Sequence, residues 1–335
     1  MAGDDERWMR RALALAERGR GTTSPNPLAG CVLVRERTVV GEGFHAVAGG
    51  PHAEVEALDT AGELAAGATA YVTLEPCDHH GRTGPCSQAL LDAGVSRVVA
   101  AIADPHPQAG GGADRLRARG VDVEVGVCAD AAARQNEVFL HGLAHARPFV
   151  ILKAAMSIDG RIAAPDGTSQ WLTGEAARAR AHALRAEVDA VLVGSGTVLA
   201  DDPLLTVRLP GHDGPQPLRV VLDRRGRVPA VARVLDGTAP SLVLDTDPAG
   251  TCKALWDRDV RSVLVEGGAQ VAAAFLDAGL VDKLVVHLAP LMLGSRARPL
   301  VESGPSTLTE ASRWTLADVD HAGDDVILTY YPGEA

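Results

Sequence analysis

Aromatic residues are scarce in this chain of 335 residues, where they make up only 3% of the sequence. Positive charge is also in deficit, because the net charge at pH 7 is −11. A nucleic-acid partner needs a basic surface for its phosphates and, when single-stranded, aromatic side chains on which its bases stack. Both shortages therefore argue against a nucleic-acid partner and favour a small substrate.

Long apolar segments are missing as well. No run of apolar residues approaches the roughly 20 that a membrane-spanning helix requires, so we expect no membrane partner. The N-terminus is acidic and leads into Arg10-Arg11, which is not the order of charges in a secretory signal. Cysteine is limited to five residues, an odd number that fits a reducing compartment. These features predict a cytoplasmic protein.

The length and the pattern of apolar residues predict two domains. A chain of 335 residues exceeds the usual size of one domain. Predicted strands alternate with predicted helices through the first half, which is typical of an α/β sandwich. A new buried strand begins at Phe149, and residues 143–147, which end just before Pro148, are the predicted linker. The predicted domains are therefore residues 1–146 and 147–335.

The residues most informative about chemistry lie between Pro51 and Cys86. His52, Cys77 and Cys86 offer one nitrogen and two thiolate sulfurs, which zinc accepts as ligands, and a catalytic zinc site leaves a fourth position for water. Glu54 is not needed as a ligand, so it is free to carry protons between that water and a substrate nitrogen. The pattern H-x-E followed by P-C-x-x-C is typical of zinc deaminases. The sequence therefore predicts a catalytic zinc site.

The spacing of the two cysteines departs from that pattern. Eight residues separate them instead of two, so the insert from Asp78 to Pro85 must form a loop over the metal. Two alternatives are a closed structural zinc site, with His79 or His80 as the fourth ligand, and a set of ordinary buried residues. Closed sites usually have short Cys-x-x-Cys knuckles. The wide spacing and the carboxylate of Glu54 favour the catalytic interpretation.

One lysine and two glycine-rich turns stand out in the second half. Lys153 interrupts the buried strand at 149–157, so it should face a polar cleft or an anion, unless that strand lies at a sheet edge. Residues 194–197 and Gly267-Gly268 each follow a predicted strand, where backbone amides can approach a phosphate. The signal at residues 194–197 is weak by itself, and the Gly267-Gly268 turn could also be only a tight connection. The chain lacks G-x-G-x-x-G, so we do not predict a Rossmann dinucleotide site.

These segments together resemble one enzyme family. The residues that carry the resemblance are His52-Ala53-Glu54, the run from Glu75 to Cys86, and the stretch from Gly194 to Arg208 with its Thr197-Val198-Leu199-Ala200-Asp201-Asp202-Pro203. In this order they resemble the bifunctional deaminase-reductases of riboflavin biosynthesis, over essentially the whole chain.

The resemblance implies both the fold and the reactions. The N-terminal domain is expected to be a cytidine-deaminase-like, three-layer α/β/α domain, and the C-terminal domain a dihydrofolate-reductase-like α/β domain. The first would use zinc to deaminate 2,5-diamino-6-ribosylamino-4(3H)-pyrimidinone 5′-phosphate. The second would use NADPH to reduce the ribosyl side chain to ribityl, giving 5-amino-6-ribitylamino-uracil 5′-phosphate. A homo-oligomer is also expected.

The resemblance further assigns site residues. The zinc ligands fall on His52, Cys77 and Cys86, and the proton carrier falls on Glu54. The deaminase substrate contacts fall on Asn26, His45, His79 and Arg82. The cofactor contacts of the reductase fall on Ala155, Trp171, Thr197, Asp201, Gly268, Ala269, Gln270 and Val271. The substrate contacts of the reductase fall on Ser169, Arg185, Leu205, Arg208 and Glu266.

Roles within the reductase are less specific. Hydride transfer to the sugar C1 needs a nearby acid or cation, and Lys153, Asp201 and Glu266 are the predicted catalytic groups. Arg185 and Arg208 could bind the 5′-phosphate, because a guanidinium pairs with phosphate oxygens. From the residues alone, Asn26 could equally be a turn former.

The sequence departs from the family at two positions of the insert, and other functions remain possible. Asp78 stands where many members have serine, and Gly84 where many have proline, which affects the shape of the loop rather than the ligands. Competing interpretations are a zinc deaminase with a merely structural C-terminal domain, a binding module with structural zinc, and an RNA-editing deaminase. Polar groups at strand ends argue against a merely structural C-terminal domain. Glu54 argues against a binding module with structural zinc, and the negative charge argues against an RNA-editing deaminase.

Overall fold

The computed structural model describes residues 2–79, 84–301 and 304–333. The chain divides into two compact units, Met1–Ala146 and Arg147–Ala335. His80, an alternative fourth zinc ligand, and Arg82, a predicted substrate contact, lie outside the described residues. Among the helices that the described ranges contain, none has both the length and the apolar character to cross a membrane.

Unit 1 is built around one sheet. Its helices are α1 (Ala2–Ala16), α2 (Ala53–Ala61), α3 (Cys86–Asp92), α4 (Gly112–Ala118), α5 (Ala129–Gln135) and α6 (Glu137–His145). Its strands are β1 (Gly30–Arg35), β2 (Thr38–Phe44), β3 (Thr69–Val72), β4 (Arg97–Ala100) and β5 (Asp122–Val125). The strand order is β2-β1-β3-β4-β5. Strands β3, β4 and β5 are parallel, whereas β1 pairs antiparallel with β2 and β3.

Helices cover both faces of this sheet. Successive residues of a strand point to opposite faces, so Cys31 and Leu33 pack with α2, α3 and α4, while Val32 and Val34 pack with α1 and α5. The unit is therefore a three-layer α/β/α sandwich, as predicted.

Two glycines bring α2 against the sheet. A Cβ on Gly41 would lie 2.2 Å from the Ala57 carbonyl oxygen, and one on Gly43 would lie 2.4 Å from the Ala53 carbonyl oxygen. Real Cβ atoms do not approach so closely, so these positions of β2 must be glycine for the helix to pack here. The close packing fixes the N-terminus of α2, where His52 lies.

The predicted linker at residues 143–147 is wrong over its first part. Helix α6 continues through His145, and Ala146 ends it with a left-handed backbone (φ 50°, ψ 39°). The apolar residues of this segment belong to the last turn of the helix, which is why composition alone did not separate them from a linker.

Unit 2 contains a larger sheet. Its helices are α7 (Glu175–Glu187), α8 (Ser195–Asp201), α9 (Pro248–Trp256) and α10 (Ala269–Asp277). Its strands are β6 (Phe149–Ser157), β7 (Arg161–Ala163), β8 (Ala190–Gly194), β9 (Leu218–Leu222), β10 (Ser241–Leu244), β11 (Ser262–Val265), β12 (Lys283–Ala289), β13 (Arg298–Pro299), β14 (Trp314–Ala322) and β15 (Asp325–Pro332). Eight strands form one sheet in the order β10-β9-β8-β11-β6-β12-β15-β14, and β7 pairs with β13 in a separate ribbon.

The position of β6 decides between the two interpretations of Lys153. Strand β6 lies inside the sheet with parallel neighbours β11 and β12, so an edge-strand location is excluded. Val150 and Leu152 pack on the core formed with α9 and α10. Because side chains alternate along a strand, Lys153 points to the opposite face.

Candidate active sites

Three metal-binding side chains converge in unit 1. His52 immediately precedes α2, Cys77 follows β3, and Cys86 is the first residue of α3. Their ligand atoms all lie within 4.8 Å of one another. His52 Nδ1 lies 3.2 Å from Cys86 Sγ and 3.6 Å from Cys77 Sγ.

This donor set fits zinc. Zinc binds histidine nitrogen at about 2.0 Å and thiolate at about 2.3 Å, so its ligands lie close together as they do here. Hydrogen bonds from Cys86 and His52 hold the pKa of Cys77 well below the usual range of a thiol, although burial opposes this shift. The backbone N–H of Cys86, at the start of α3, also donates to Cys77 Sγ over 3.4 Å. Cys77 is therefore held as a thiolate, the form that binds metal.

Among the described residues, His79 is not part of this cluster. The cluster thus offers three ligands, as a catalytic site does. The alternative of a closed site with His79 as the fourth ligand finds no support in the geometry, and His80 lies outside the described residues.

Glu54 lies beside the metal-binding residues in the first turn of α2 and is only 6% exposed. Burial raises its pKa above the ordinary value for glutamate. A carboxyl group whose pKa moves toward neutrality can both accept and return a proton near pH 7. This is the property that the predicted proton carrier requires.

Asn26 and His45 form a polar pair next to the metal cluster. His45 Nδ1 lies 2.8 Å from the Pro51 carbonyl oxygen, so this nitrogen carries the hydrogen and donates. His45 Nε2 is then free to accept from the Asn26 amide at 3.1 Å. The rings of His45 and His52 lie edge to face, with centroids 5.6 Å apart. The structure therefore brings Asn26 and His45 together at the predicted site.

The two remaining deaminase contacts lie on the insert. His79 is half-buried, and its Nδ1 has no hydrogen-bond partner among the described residues. Arg82 lies outside those residues. The predicted contacts of His79 and Arg82 with substrate stay predictions.

A charged cluster marks the face of unit 2 to which Lys153 points. Arg185 on α7 donates to both carboxylate oxygens of Glu266, through Nε over 2.8 Å and Nη2 over 2.6 Å. Its Nη1 donates to the Thr206 carbonyl oxygen over 3.1 Å. Lys153 interacts electrostatically with both charges. Three groups assigned from sequence are thus brought together.

The pKa shifts in this cluster separate the roles of its members. Burial raises the pKa of Glu266, but the charge and hydrogen bonds of Arg185 outweigh burial and lower it to about 2. Burial lowers the pKa of Lys153, with Glu266 opposing the shift. At neutral pH Glu266 therefore holds no proton to donate, whereas a protonated Lys153 releases its proton more readily than an exposed lysine.

The residues assigned to phosphate differ in their availability. The fork of Arg185 is directed at Glu266, whereas the Arg208 side chain is exposed. The backbone N–H of Arg208 donates to His182 Nδ1 over 3.2 Å. Leu205 is 2% exposed and has φ +56°, so its side chain is buried and not open to a substrate. Arg208 is the cation better placed to receive a phosphate.

Several predicted cofactor contacts surround the start of α8 and α10. Thr197 Oγ1 accepts a hydrogen bond of 3.3 Å from the backbone N–H of Gly268, which precedes α10. The next residues, Ala269, Gln270 and Val271, form the first turn of that helix. Thr197 lies in α8, and Asp201 is the last residue of α8.

The two glycines of the Gly267-Gly268 turn have different structural roles. A Cβ on Gly267 would lie 2.6 Å from Val271 Cβ, so packing requires glycine there. A Cβ on Gly268 would meet nothing closer than Thr197 Oγ1 at 3.7 Å. The protein leaves the space beside Gly268 open, at the N-terminus of a nine-residue helix that favours negative charge. This cradle fits a cofactor phosphate.

Three further predicted contacts lie on β6 and on the segment that follows β7. Ala155 is on β6, two residues from Lys153 and therefore on the same face. Trp171 is 67% exposed, with the Arg178 guanidinium 4.8 Å from its ring centroid. Burial raises the pKa of Asp201, while a hydrogen bond from Ser169 opposes the shift. The Ser169 side chain therefore lies against Asp201.

Two protein families match the chain over separate ranges. The family described as cytidine and deoxycytidylate deaminase zinc-binding region matches residues 2–102, and the family described as RibD C-terminal domain matches residues 148–328. The riboflavin biosynthesis protein RibD of Escherichia coli is 44% identical over 360 aligned positions, which cover 97% of this chain and 98% of that protein. The chain belongs to the RibD family.

Other RibD proteins are similar over most or all of their length. That of Mycobacterium tuberculosis is 48% identical, with 92% of each chain covered. The solved structure of Acinetobacter baumannii RibD superposes with a TM-score of 0.93 at 41% identity, covering 100% of both chains. The Thermotoga maritima structure of a diaminohydroxyphosphoribosylaminopyrimidine deaminase/5-amino-6-(5-phosphoribosylamino)uracil reductase gives a TM-score of 0.93 at 35% identity, covering 99% of both.

Membership in the RibD family confirms the main predictions. The chain is a bifunctional enzyme of riboflavin biosynthesis, with a zinc-binding deaminase domain and a reductase domain. The predicted fold class and the predicted cofactors, zinc and NADPH, are those of this family. The roles of individual residues stay predictions.

Some polar residues of these RibD sites were not predicted from sequence. His182 lies beside Arg185 and Arg208, and burial together with these positive charges lowers its pKa to about 4. His287 is fully buried opposite Ala155 in the β6–β12 pairing, and burial lowers its pKa to about 3. The sequence contained no local signal for either histidine, because each meets its neighbours only in the folded sheet.

Proposed function

We propose that residues 1–146 carry out a zinc-dependent deamination of 2,5-diamino-6-ribosylamino-4(3H)-pyrimidinone 5′-phosphate. The observation that carries this proposal is the convergence of His52, Cys77 and Cys86 beside the buried carboxyl group of Glu54. Zinc, when bound by these three residues, supplies a Lewis acid that lowers the pKa of water to about 7.

Glu54 then moves the protons of the deamination. It accepts a proton from the attacking water and returns protons to the ring nitrogen and to the departing amine. Water adds to the carbon that bears the amine, the C–N bond breaks, and ammonia leaves. Asn26 and His45 lie beside the metal cluster, where they are placed to orient the pyrimidine.

We propose that residues 147–335 reduce the ribosyl group of the deaminated product with NADPH. Hydride is added at the sugar C1, the bond from C1 to the ring oxygen breaks, and that oxygen takes up a proton. Lys153 is the group we assign to the proton, because burial lowers its pKa while Glu266 stays ionised. Glu266 and Arg185 carry opposite charges that balance each other beside Lys153. Arg208 is placed to bind the 5′-phosphate.

The boundary at Ala146 can be tested by truncation. A fragment that ends at Ala146 contains every proposed metal ligand and a complete sheet, so it should bind zinc and release ammonia from the diaminopyrimidine substrate. Zinc content by atomic absorption and ammonia release are the measurements. A folded fragment without metal would show that the zinc site needs residues of the second unit.

The cofactor cradle can be tested at Gly268. The Gly268→Val variant should raise the KM for NADPH by about tenfold or more, roughly 1.4 kcal/mol of binding free energy, because the side chain would fill the space beside the helix N-terminus. Gly268→Ala should have a smaller effect in the same direction. Both effects are measured by steady-state kinetics of NADPH oxidation.

Two controls accompany the Gly268 variants. Ammonia release and the melting temperature should stay close to wild type, because a Cβ at this position meets no protein atom closer than 3.7 Å. An unchanged KM for NADPH in both variants would mean that the Gly267-Gly268 turn is only a tight connection between β11 and α10.

We further propose that the protein works in the cytoplasm as a homo-oligomer. The cysteines outside the metal cluster are free, which suits a reducing compartment. The oligomeric state rests on the family resemblance, and the mass measured by light scattering would test it. A monomer at working concentration would contradict it.

A further inference from the structure

Asp78, the residue after Cys77, is held by two elements at once. Its Oδ1 accepts a hydrogen bond of 2.6 Å from Ser87 Oγ, directly after Cys86. The same oxygen accepts 2.7 Å from Nη1 of Arg115 on α4. Both side chains of this ion pair are only partly exposed. Asp78 therefore connects the segment that contains Cys77 with helix α3, which begins with Cys86.

Arg115 also connects the segment of Cys77 with helix α3. While Nη1 donates to Asp78, Nη2 of the same guanidinium donates to Gln88 Oε1 on α3. The planar fork of arginine fixes the relative position of two acceptors in a way that a lysine ammonium does not. Arg115 thus bridges the residue after Cys77 and the helix that begins with Cys86.

The segment leading into α4 also fixes the residues before Cys77. The buried carboxylate of Glu75 accepts hydrogen bonds from the backbone N–H groups of Asp104, Gly111 and Ala113 at 3.0, 3.1 and 2.9 Å. A Cβ on Gly112 would lie 1.8 Å from the Pro76 carbonyl oxygen, so the backbone of this segment lies directly on Pro76. Cys77 is therefore fixed from both sides by residues 104–115.

This arrangement answers a problem posed by the spacing of the cysteines. A Cys-x-x-Cys spacing holds two thiolates near each other through a short loop. Here eight residues separate them, so the covalent chain imposes little constraint on their distance. Helix α4 lies beyond the matched zinc-binding region at residues 2–102. Its contacts restrict the distance between the two thiolates, which the covalent chain leaves open.

We propose that Arg115 and Asp78 are positioning residues for the metal site: their ion pair, together with the bond from Arg115 to Gln88, sets the separation of the Cys77 and Cys86 thiolates and slows the loss of zinc. This inference rests on the proposed zinc site. It assigns neither residue a contact with substrate or metal.

The rate of zinc loss tests the proposal. Zinc-loaded full-length protein is mixed with an excess of a chromogenic chelator, and the first-order rate of zinc transfer is recorded. Asp78→Ala and Arg115→Met should each release zinc at least about tenfold faster than wild type. The double variant should release zinc more slowly than the product of the two single effects predicts, because both substitutions break the same bond between Asp78 and Arg115. Arg115→Lys, which keeps the charge but not the fork, should give an intermediate rate.

Arg117→Met is the matched control. Arg117 lies on the same helix, but its guanidinium pairs with Asp114 and donates to the Val123 carbonyl oxygen, away from both cysteine segments. Its zinc release should stay within about twofold of wild type. Circular dichroism establishes whether each variant is folded. If Arg115→Met does not fold, Arg115→Lys still tests the proposal. Release rates equal to wild type in Asp78→Ala and Arg115→Lys, or additive effects in the double variant, would overturn the proposal. Wild-type protein that binds no zinc would instead contradict the zinc site itself.

Discussion

The Glu54→Gln variant should keep its zinc and lose ammonia release by a factor of about 10² to 10⁴, the usual contribution of a positioned general acid-base. Glutamine preserves the size of the side chain in its buried position but cannot carry a proton. Oxidation of NADPH with pre-deaminated substrate should continue at the wild-type rate. Zinc content, ammonia release and NADPH oxidation are measured on the same preparation.

Glu56→Gln is the control for this substitution. Glu56 lies two residues further along α2 and is exposed, so removing its charge should leave ammonia release nearly unchanged. If Glu54→Gln contained zinc and still released ammonia at a rate close to wild type, Glu54 would have no part in the proton transfers.

The Lys153→Met variant should lose NADPH oxidation by a factor of about 10² or more while ammonia release persists. Methionine keeps the length of the buried stem but removes the proton donor beside Glu266 and Arg185. The loss should appear in kcat rather than in the KM for NADPH, because the cradle at Gly268 is untouched. Steady-state kinetics on pre-deaminated substrate separate the two constants.

Lys253→Met provides the matched control. Lys253 is an exposed lysine of α9 paired with Asp257 over 2.6 Å, so its replacement should leave both activities unchanged. A Lys153→Met variant with wild-type kcat would remove this lysine from the chemistry. A change confined to the KM of the substrate would make it a binding group only.

The zinc site could be read from the sequence because its signal is local. His52 and Glu54 occupy the start of one helix, and the two cysteines follow a strand end and begin a helix, so residue types and short spacings were sufficient. Lys153 could be singled out for a similar reason, since a charged residue inside a buried strand is rare. Only the structure shows that β6 lies inside the sheet and not at its edge.

The partners of these groups could not be read from the sequence. Arg185 and Glu266 are 81 residues apart and meet only where α7 lies over the end of β11. Arg115 is 37 residues from Asp78, and nothing in the run around it distinguishes it from the exposed Arg117. The assignment of Arg185 to phosphate illustrates this limit, because its fork is engaged by a carboxylate that no local pattern connects to it.

Secondary structure was missed where its packing is weak or its pattern irregular. The sequence pattern does not indicate strand β14, since most of its residues are exposed and it lies at a sheet edge. The pattern does not indicate helix α9 either, although Asp247 caps this helix by accepting a hydrogen bond from the Gly250 backbone N–H over 2.7 Å. Pro248 and Gly250 at its start suggest a turn when they are considered without that cap.

The central claim, two successive reactions on one chain, is tested most directly by following ammonia release and NADPH oxidation with the wild-type enzyme. The diaminopyrimidine ribosyl phosphate is supplied with and without NADPH, and ammonia release and NADPH oxidation are recorded separately. Ammonia should appear without NADPH, and NADPH should be oxidised only after ammonia has been released. Failure to release ammonia in the absence of NADPH, or NADPH oxidation with no ammonia formed, would contradict the account.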